Sequence, residues 1–579
     1  MTDSRCPVSS DQLSVPMGLL SFPLTDQPWL PVQLLVGGES ELSLRQVFAQ
    51  ASRIRRLAGE LPTQDFSLIR LLLAILYDAL DGPADAEAWA ELWEADDPFA
   101  AVPGYLNEHQ DRFDLFHPCT PFFQTPGLRT AADEVFSLNR IVADVPNGSP
   151  FFTARFPGAG RIGFAEAARW VVHAQAYDTS GIKSGVVGDP RAKNGKAYPQ
   201  GVAWAGNLGG VLAEGPTLRE TLLLNLLALD QLPAWAGGDV PAWRRPPTGP
   251  GAAGDLANRP AGPRDLYSWQ SRRLLLHADA GGVHGVVLSY GDPLAAPNLH
   301  IVEPMSAWRR SQAQEKKLGR SPVYLPREHD PARAAWRGLE ALIAPRDQGA
   351  ASGGEPAPML RPGLVQWLAR LTTEGFLARG TLVRLRTFGA LYGTQQSVID
   401  EVTSDAIAMA VVLLHEADRE LGQAAVDAVA DADLAVRALG DLVVDLARAA
   451  GSESEAGRDA ARDAGFGALD GPYRLWLAGL SEGDDPQHAR AAWQHTARRL
   501  IGRLGEELIA AAGDAAWQGR VFSHAKGQTW LNAALADRWF RSRLSRALPH
   551  GQSTPALPAQ AVPADLERTS VDDSRKVPA

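Results

Sequence analysis

The chain has 579 residues, 45% of them hydrophobic, with 16 Trp and a formal net charge of −11. That is enough apolar material for more than one folded domain, while the acidic total argues against a free-standing nucleic-acid binder, because phosphate contacts need basic surface. No apolar run reaches the roughly 18 residues of a membrane-spanning helix, the first twenty residues lack the pattern of a secretory signal, and two cysteines, Cys6 and Cys119, can build neither a disulfide framework nor a zinc cluster; the expected location is the cytoplasm.

In chain order, residues 1–20 read as a flexible N-terminus. FPLTDQPWLPVQLLV, Phe22 to Val36, alternates between prolines as an opening hairpin does. Ser43 and Gln46 have the spacing of a capping box, and DFSLIRLLLAILYDAL, Asp65 to Leu80, is apolar almost all round, the pattern of a buried helix. Helical patterns follow over residues 85–116, Phe164 to Gln175 and the Leu-rich Thr217 to Leu232, with strands at Ser271 to His277 and Gly285 to Tyr290. Ala236 to Arg264 and Ala344 to Gly363 are dense in Gly and Pro and read as flexible insertions.

From about residue 405 strand signals give way to Ala-rich helical patterns, roughly 406–450, 456–480, 485–513 and 526–547. The expected fold class is therefore α+β: a large mixed α/β domain over residues 21–404, then a four-helix bundle over 405–548 and a disordered tail over 549–579. Charge is unevenly shared within the C-terminal region, acidic from Asp405 to Ala450 and basic from Arg490 to Arg546.

The sequence contains no Walker loop, dinucleotide glycine fingerprint, HExxH or GxSxG. His117 in FHPCTPFF lacks the companions of a metal site and reads as a satisfied core histidine. No catalytic residue, metal or cofactor is expected. One stretch invites a binding role. In RLRTFGALYGTQQSVID, Arg384 to Asp400, a strand-like run stops at Tyr392-Gly393 and presents Thr394, Gln395, Gln396 and Ser397. Alone, this is either a surface turn or a small uncharged tip whose amides carry donors and acceptors for prying at a base pair.

Five segments, in order, bear on that choice: FPLTDQPWLPV at 22–32, HPCTPFFQT at 117–125, AYDTSGIKSG at 176–185, LYSWQSRRL at 266–274 and FGALYGTQQSVID at 388–400. With the helical C-terminal region, they resemble the large subunit of the type I-E CRISPR surveillance complex, Cascade, over roughly residues 20–548. The resemblance implies a non-enzymatic subunit that finds the protospacer-adjacent motif in double-stranded DNA from the minor groove, opens the duplex beside it and recruits the helicase-nuclease. Its implied partners are the other Cascade subunits, the 5′ end of the guide RNA, the target DNA and the helicase-nuclease, with no membrane.

By the same resemblance, Gln396 falls on the family's glutamine wedge, with Gln395 and Thr394 beside it. Ser180, Gly181 and Lys183 fall on a glycine-type loop, Lys183 as a nearby phosphate contact; a single glycine here departs from the family's glycine-rich loop. Phe152, Thr153 and Ala154 match a recognition and docking loop with Phe152 as its anchor. The family's lysine finger falls near His300, which leaves that contact in doubt. Arg309, Arg310, Lys316 and Lys317, in SAWRRSQAQEKKLGR, are either duplex phosphate contacts or a solvated basic loop. In the C-terminal region Trp493, Ala497, Leu500, Ile501, Leu504 and Leu508 share one helical face. Arg499 and Arg503 lie opposite, either to touch displaced single strand or, for Arg503, to pair with Glu506. The rival reading is a structural scaffold of a ribonucleoprotein that never touches bases.

Overall fold

The computed structural model describes residues 20–145, 158–232, 238–343, 356–524 and 527–552. By its internal contacts the chain divides into two compact units, residues 1–429 with 470–489 and residues 430–469 with 490–579. The docking-loop residues Phe152, Thr153 and Ala154 lie outside the described residues.

The first unit is built around the helix Pro62–Leu80. Its proline stands at the start, where a missing N–H costs nothing, and its apolar residues leave no face for water, so every residue from Thr63 to Asp78 is buried. The helices Phe164–Tyr177 and Pro263–Tyr267 pack against it. Phe66 stacks on Phe388 at 4.9 Å. This joins the helix to an antiparallel sheet ordered Ile399–Ala410, Leu382–Tyr392, Gly210–Glu214. In the same core the Arg70 fork meets Glu303 at 2.8 and 2.7 Å, both side chains at most 1% exposed. The rings of Phe66, Trp204 and Tyr267 lie 4.3, 4.8 and 5.1 Å from the Arg70 guanidinium carbon.

Several expectations hold with shifted limits. The opening hairpin pairs Leu30–Leu34 with Glu39–Leu42 across Gly37-Gly38, both at positive φ, and Ile54–Leu57 adds a third strand. The capping box is present: Ser43 Oγ accepts from the Gln46 N–H and Gln46 Oε1 accepts from the Ser43 N–H. Residues 85–116 form two helices, Ala86–Glu94 and Val102–Glu108, and a 3-10 turn. The strands Arg272–Asp279 and Gly282–Tyr290 form a hairpin in the register Leu274↔Leu288.

Two expectations are corrected. The helix expected over Thr217 to Leu232 covers only Leu218–Leu224. Asn225 ends it: the side-chain amide donates to the Thr221 and Ala213 carbonyls and accepts from the Ala213 N–H, offering the backbone an alternative to the next turn. Strands also continue past residue 405. Ile399–Ala410 pairs with its neighbour as far as Ala410↔Leu382, so the boundary expected at 404/405 falls inside a strand. A second hairpin, Arg520–His524 with Gly527–Leu531, interrupts the helical region.

Four long helices are found there among the described residues, Arg419–Ala450, Arg458–Ala478, Pro486–Ala510 and Ala533–Ala547. Within the second unit, Gly465 lies where a Cβ would come within 3.1 Å of Val436, and Gly505 lies against the Phe540 ring. Asp431 accepts from Arg490 and Gln494 at 2.8 Å, and Asp445 accepts from Arg543 at 2.5 Å.

Removing Glu303 alone would strand the Arg70 charge in the core. Glu303→Leu is expected to lower unfolding stability by about 3–5 kcal/mol, whereas Arg70→Met with Glu303→Leu returns close to wild type; tryptophan-monitored denaturation of the three proteins checks this. His173 carries a pH signature. It is 1% exposed, hydrogen-bonded to Thr63 Oγ1 at 2.9 Å and stacked on Tyr177. Burial pushes its imidazole down from 6.5 to about 4, against the pull of Asp178 and Glu60. The unfolded chain therefore binds the extra proton between these values, and stability present above pH 6.5 is lost as pH falls towards 4. His173→Gln is expected to abolish this part of the acid sensitivity, on the order of 2 kcal/mol at about pH 5, measured as the change in denaturation midpoint from neutral pH.

Candidate nucleic-acid interface

The candidate site lies in the first unit, where the helix Phe164–Tyr177 ends. The last carbonyls of a helix have no partner within it, and here three other segments supply them. Ala205 N–H donates to the Ala176 carbonyl at 2.9 Å, Tyr392 Oη to the Tyr177 carbonyl at 2.7 Å, and Ala203 N–H to the Asp178 carbonyl at 2.8 Å. The Arg272 guanidinium adds donors to the carbonyls of Asp178, Thr179 and Gly201 at 2.9–3.1 Å. A cation at a helix C-terminus is also favoured by the helix dipole. Segments far apart in sequence, 176–185, 201–206, 272 and 392, are thereby held at one point.

Arg272 also closes a buried ion cluster. Its Nε donates to Asp178, whose carboxylate also accepts from Lys183 Nζ at 2.6 Å. All three side chains are at most 7% exposed. Burial alone would raise the Asp178 carboxyl, but Lys183 and Arg272 outweigh it and hold it below the ordinary value. Burial pushes the Lys183 ammonium down to about 8, against the pull of Asp178. Lys183, expected as a nearby phosphate contact, turns inward: a buried carboxylate needs a paired charge, and Lys183 provides it. Ser180 is buried as well, at 4% exposure. The outward part of the loop is half-buried Gly181 and exposed Ile182. Gly181 holds its place through its carbonyl, which accepts from Tyr290 Oη at 2.6 Å.

The tip Thr394–Gln396 is a 3-10 turn between the strands Leu382–Tyr392 and Ile399–Ala410. Gln395 and Gln396 have φ of 56° and 55°, the left-handed region that costs a non-glycine residue about 1–3 kcal/mol. Thr394 and Gln395 are exposed and Gln396 is half-buried. Gln396 is held twice: its carbonyl accepts from the Ser180 N–H at 2.7 Å, and its Nε2 donates to Asn207 Oδ1 at 3.0 Å. Asn207 reaches the tip because the preceding Gly206 passes close to Tyr392, where a Cβ would lie 2.5 Å from the hydroxyl. The structure thus brings the two sequence-predicted elements, loop and tip, into direct contact. A cleft of about 370 Å³ runs between them, lined by Arg140, Asp178, Thr179, Gly181, Lys183 and Ser397 among others.

Sequence reasoning missed Arg272, Asn207 and Arg140. Arg272 was within a recognised motif, but nothing local says where its guanidinium points. Asn207 in AGNLGG and Arg140 in SLNRIV had no pattern to mark them.

The remaining predicted residues lie elsewhere. The segment from 306 is a strand, Trp308–Arg310, and a helix, Gln312–Leu318, rather than a loop. Arg310 is paired, since Glu315 accepts from its guanidinium at 2.7 and 3.1 Å. Arg309, Lys316 and Lys317 are exposed. His300 packs edge-on to Trp308 and Tyr324. His117 Nδ1 accepts from the N–H groups of Cys119 and Thr120, closing a turn. No group of three or more metal-ligating residues occurs among the described residues, and no described helix is long and apolar enough to cross a membrane. In the second unit, Trp493, Ala497 and Ile501 are buried and Arg499 and Arg503 exposed. Both arginines line a groove of about 530 Å³ with His495, Arg498, Phe540 and Arg541. Glu506 pairs there with Arg541 at 3.6 Å.

The family model described as CRISPR-associated protein Cse1 matches residues 23–504. The CRISPR-associated protein CasA/Cse1 of Thermus thermophilus is 29% identical over 344 residues, 58% of this chain and 62% of that relative's length. The crystal structure of Thermobifida fusca Cse1 superposes with a TM-score of 0.85 at 58% identity, covering 92% of this chain and 98% of that one. A chain of a solved CRISPR RNA-guided surveillance complex, 19% identical, has the same fold, with a TM-score of 0.62 over 90% of this chain and 99% of that one. A model matched in one run from the opening hairpin into the third of the long helices decides the matter: the chain belongs to the CRISPR-associated Cse1 (CasA) family, the large subunit of the type I-E surveillance complex.

Proposed function

We propose that this subunit recognises the protospacer-adjacent motif in double-stranded DNA, wedges the duplex open beside it to start pairing with the guide RNA, and recruits the helicase-nuclease. The observation that carries the reading is the strained amide tip fastened to the glycine-type loop, Ser180 N–H to Gln396 carbonyl. Strain at two non-glycine residues persists only where the surroundings hold it, and such residues gather at binding sites. Neutral amides suit the task, since they pair with base edges without the pull of a phosphate. The minor groove offers a degenerate code, so tolerance of several motifs follows.

The role is one of binding and positioning, not turnover, and it divides labour in the manner of guided effectors: protein reads a short motif, RNA pairing reads the rest. The other Cascade subunits and the 5′ end of the guide RNA supply the assembled surface. An overall charge of −11 leaves the isolated chain a weak DNA binder. Phe152, Thr153 and Ala154 are assigned to docking near the guide, and Arg309, Lys316 and Lys317, with Arg499 and Arg503 in the second unit, to DNA phosphates. The cytoplasm, where guide and target meet, is the location.

Unstacking a base step costs a few kcal/mol, so in the assembled complex Gln396→Ala is expected to slow motif-dependent opening of a labelled duplex by about tenfold or more. Asn207→Leu, which frees the amide without deleting it, is expected to give a smaller loss. Opening at the wild-type rate in Gln396→Ala would instead favour the scaffold reading. Copurification of the chain with guide RNA and the other subunits tests the assembly itself; a chain that fails to copurify contradicts it.

A further inference from the structure

The cleft between the loop 178–183 and the hairpin tip carries more positive charge than its carboxylates balance. Arg140 and Lys183 line it against Asp178 alone, and Arg272 draws on that same carboxylate. Asp178 is already shared between Lys183 and Arg272. Arg140 lies over the Phe136 ring at 3.6 Å and donates one hydrogen bond to a side chain, to Ser184 Oγ at 2.8 Å. No carboxylate lies within 4.0 Å of it among the described residues; Glu134 and Asp178 act on it only from farther away. A guanidinium has five N–H donors in a planar fork that matches phosphate oxygens, and Arg140 lines the cleft with one side-chain hydrogen bond made.

A half-buried guanidinium without a counter-ion is costly. Burial lowers both Arg140 and Lys183 from their ordinary values, against the pull of Asp178. An incoming anion would relieve both. The loop beside it also has room. Gly181 has no positive φ to demand a glycine, and a Cβ there would meet only Ser397 Cβ, at 3.9 Å. The fold itself does not require glycine at 181, whereas a chain passing close outside would.

We propose that this cleft seats one backbone phosphate of the DNA held at the hairpin tip, with Arg140 as its ligand. Lys183 contributes as a buried charge behind it rather than as a contact. The inference rests on the reading of the tip as a duplex-opening wedge and adds the anchor for the strand beside it.

The test uses the assembled complex and a duplex carrying the motif, with binding measured across salt concentration. R140Q is expected to reduce the slope of log affinity against log salt by about one and to weaken binding about fivefold at about 150 mM salt. R140K, which keeps the charge, is expected to retain the slope. Neutral methylphosphonates placed one at a time along each strand are expected to reveal one position that weakens wild-type binding and has no effect on R140Q. Ser184→Ala, which removes the protein partner of Arg140 but no charge, is expected to leave the slope intact.

An unchanged slope in R140Q overturns the proposal, as does a methylphosphonate profile identical in R140Q and wild type. So does an effect confined to competition by inorganic phosphate at constant ionic strength, which would mark a site for the free ion. Should R140Q fail to assemble, R140K carries the test: it must stay sensitive at the position found for wild type, and a wild-type complex indifferent to every methylphosphonate refutes the seat. The wedge reading fails separately, through Gln396→Ala.

Discussion

The site depends on one guanidinium. Arg272 stands on a strand of the Arg272–Asp279 hairpin, yet its donors reach the Asp178 carboxylate and the carbonyls of Asp178, Thr179 and Gly201. It ends a helix, fixes the start of the glycine-type loop and holds the 201–206 segment in place. A planar fork can do this where an ammonium cannot, because its donors leave in fixed, diverging directions. The arrangement in turn orders Ser180, whose N–H holds the Gln396 carbonyl, so the loop and the tip share a support.

Burial explains why the cluster is built from ions. Asp178 out of water is unfavourable unless its charge is paired, and Lys183 and Arg272 both meet its Oδ2. Lys183 is lost to the surface by that pairing, which a reading based on its place in the loop does not anticipate. The same balance leaves Arg140 with a positive charge not matched locally. In a chain that is acidic overall, positive charge is local, and its field is stronger where water is excluded.

The fold was legible in the sequence where a pattern is local and strong. The helix Pro62–Leu80, the Ser43–Gln46 capping box and the hairpin Arg272–Asp279 with Gly282–Tyr290 follow from periodicity and spacing. The misses have physical causes. The Thr217 to Leu232 pattern is helical to its end, but Asn225 has a strand backbone at Ala213 within reach and bonds to it. Ile399–Ala410 ends in an alanine-rich stretch, with Ala406, Ala408 and Ala410, yet the register set by Leu382–Tyr392 carries it to Ala410. The run near Arg309 scanned as a basic loop, whereas Ser311 caps a helix there and Glu315 turns back onto Arg310.

Residue order alone determined the family, the order of the motifs and the amide tip at 394–396, because these depend on residue type and spacing. It also determined the acidic total, and with it the need for partners in any contact with DNA. Tertiary structure decided which of these residues meet. The tie of Gln396 to Asn207 and that of Arg140 to Ser184 span scores of positions, and Lys183 turns inward onto an Asp178 that the distant Arg272 also holds. Hydrogen bonds and ion pairs act over a few ångströms, and only the folded chain sets those separations.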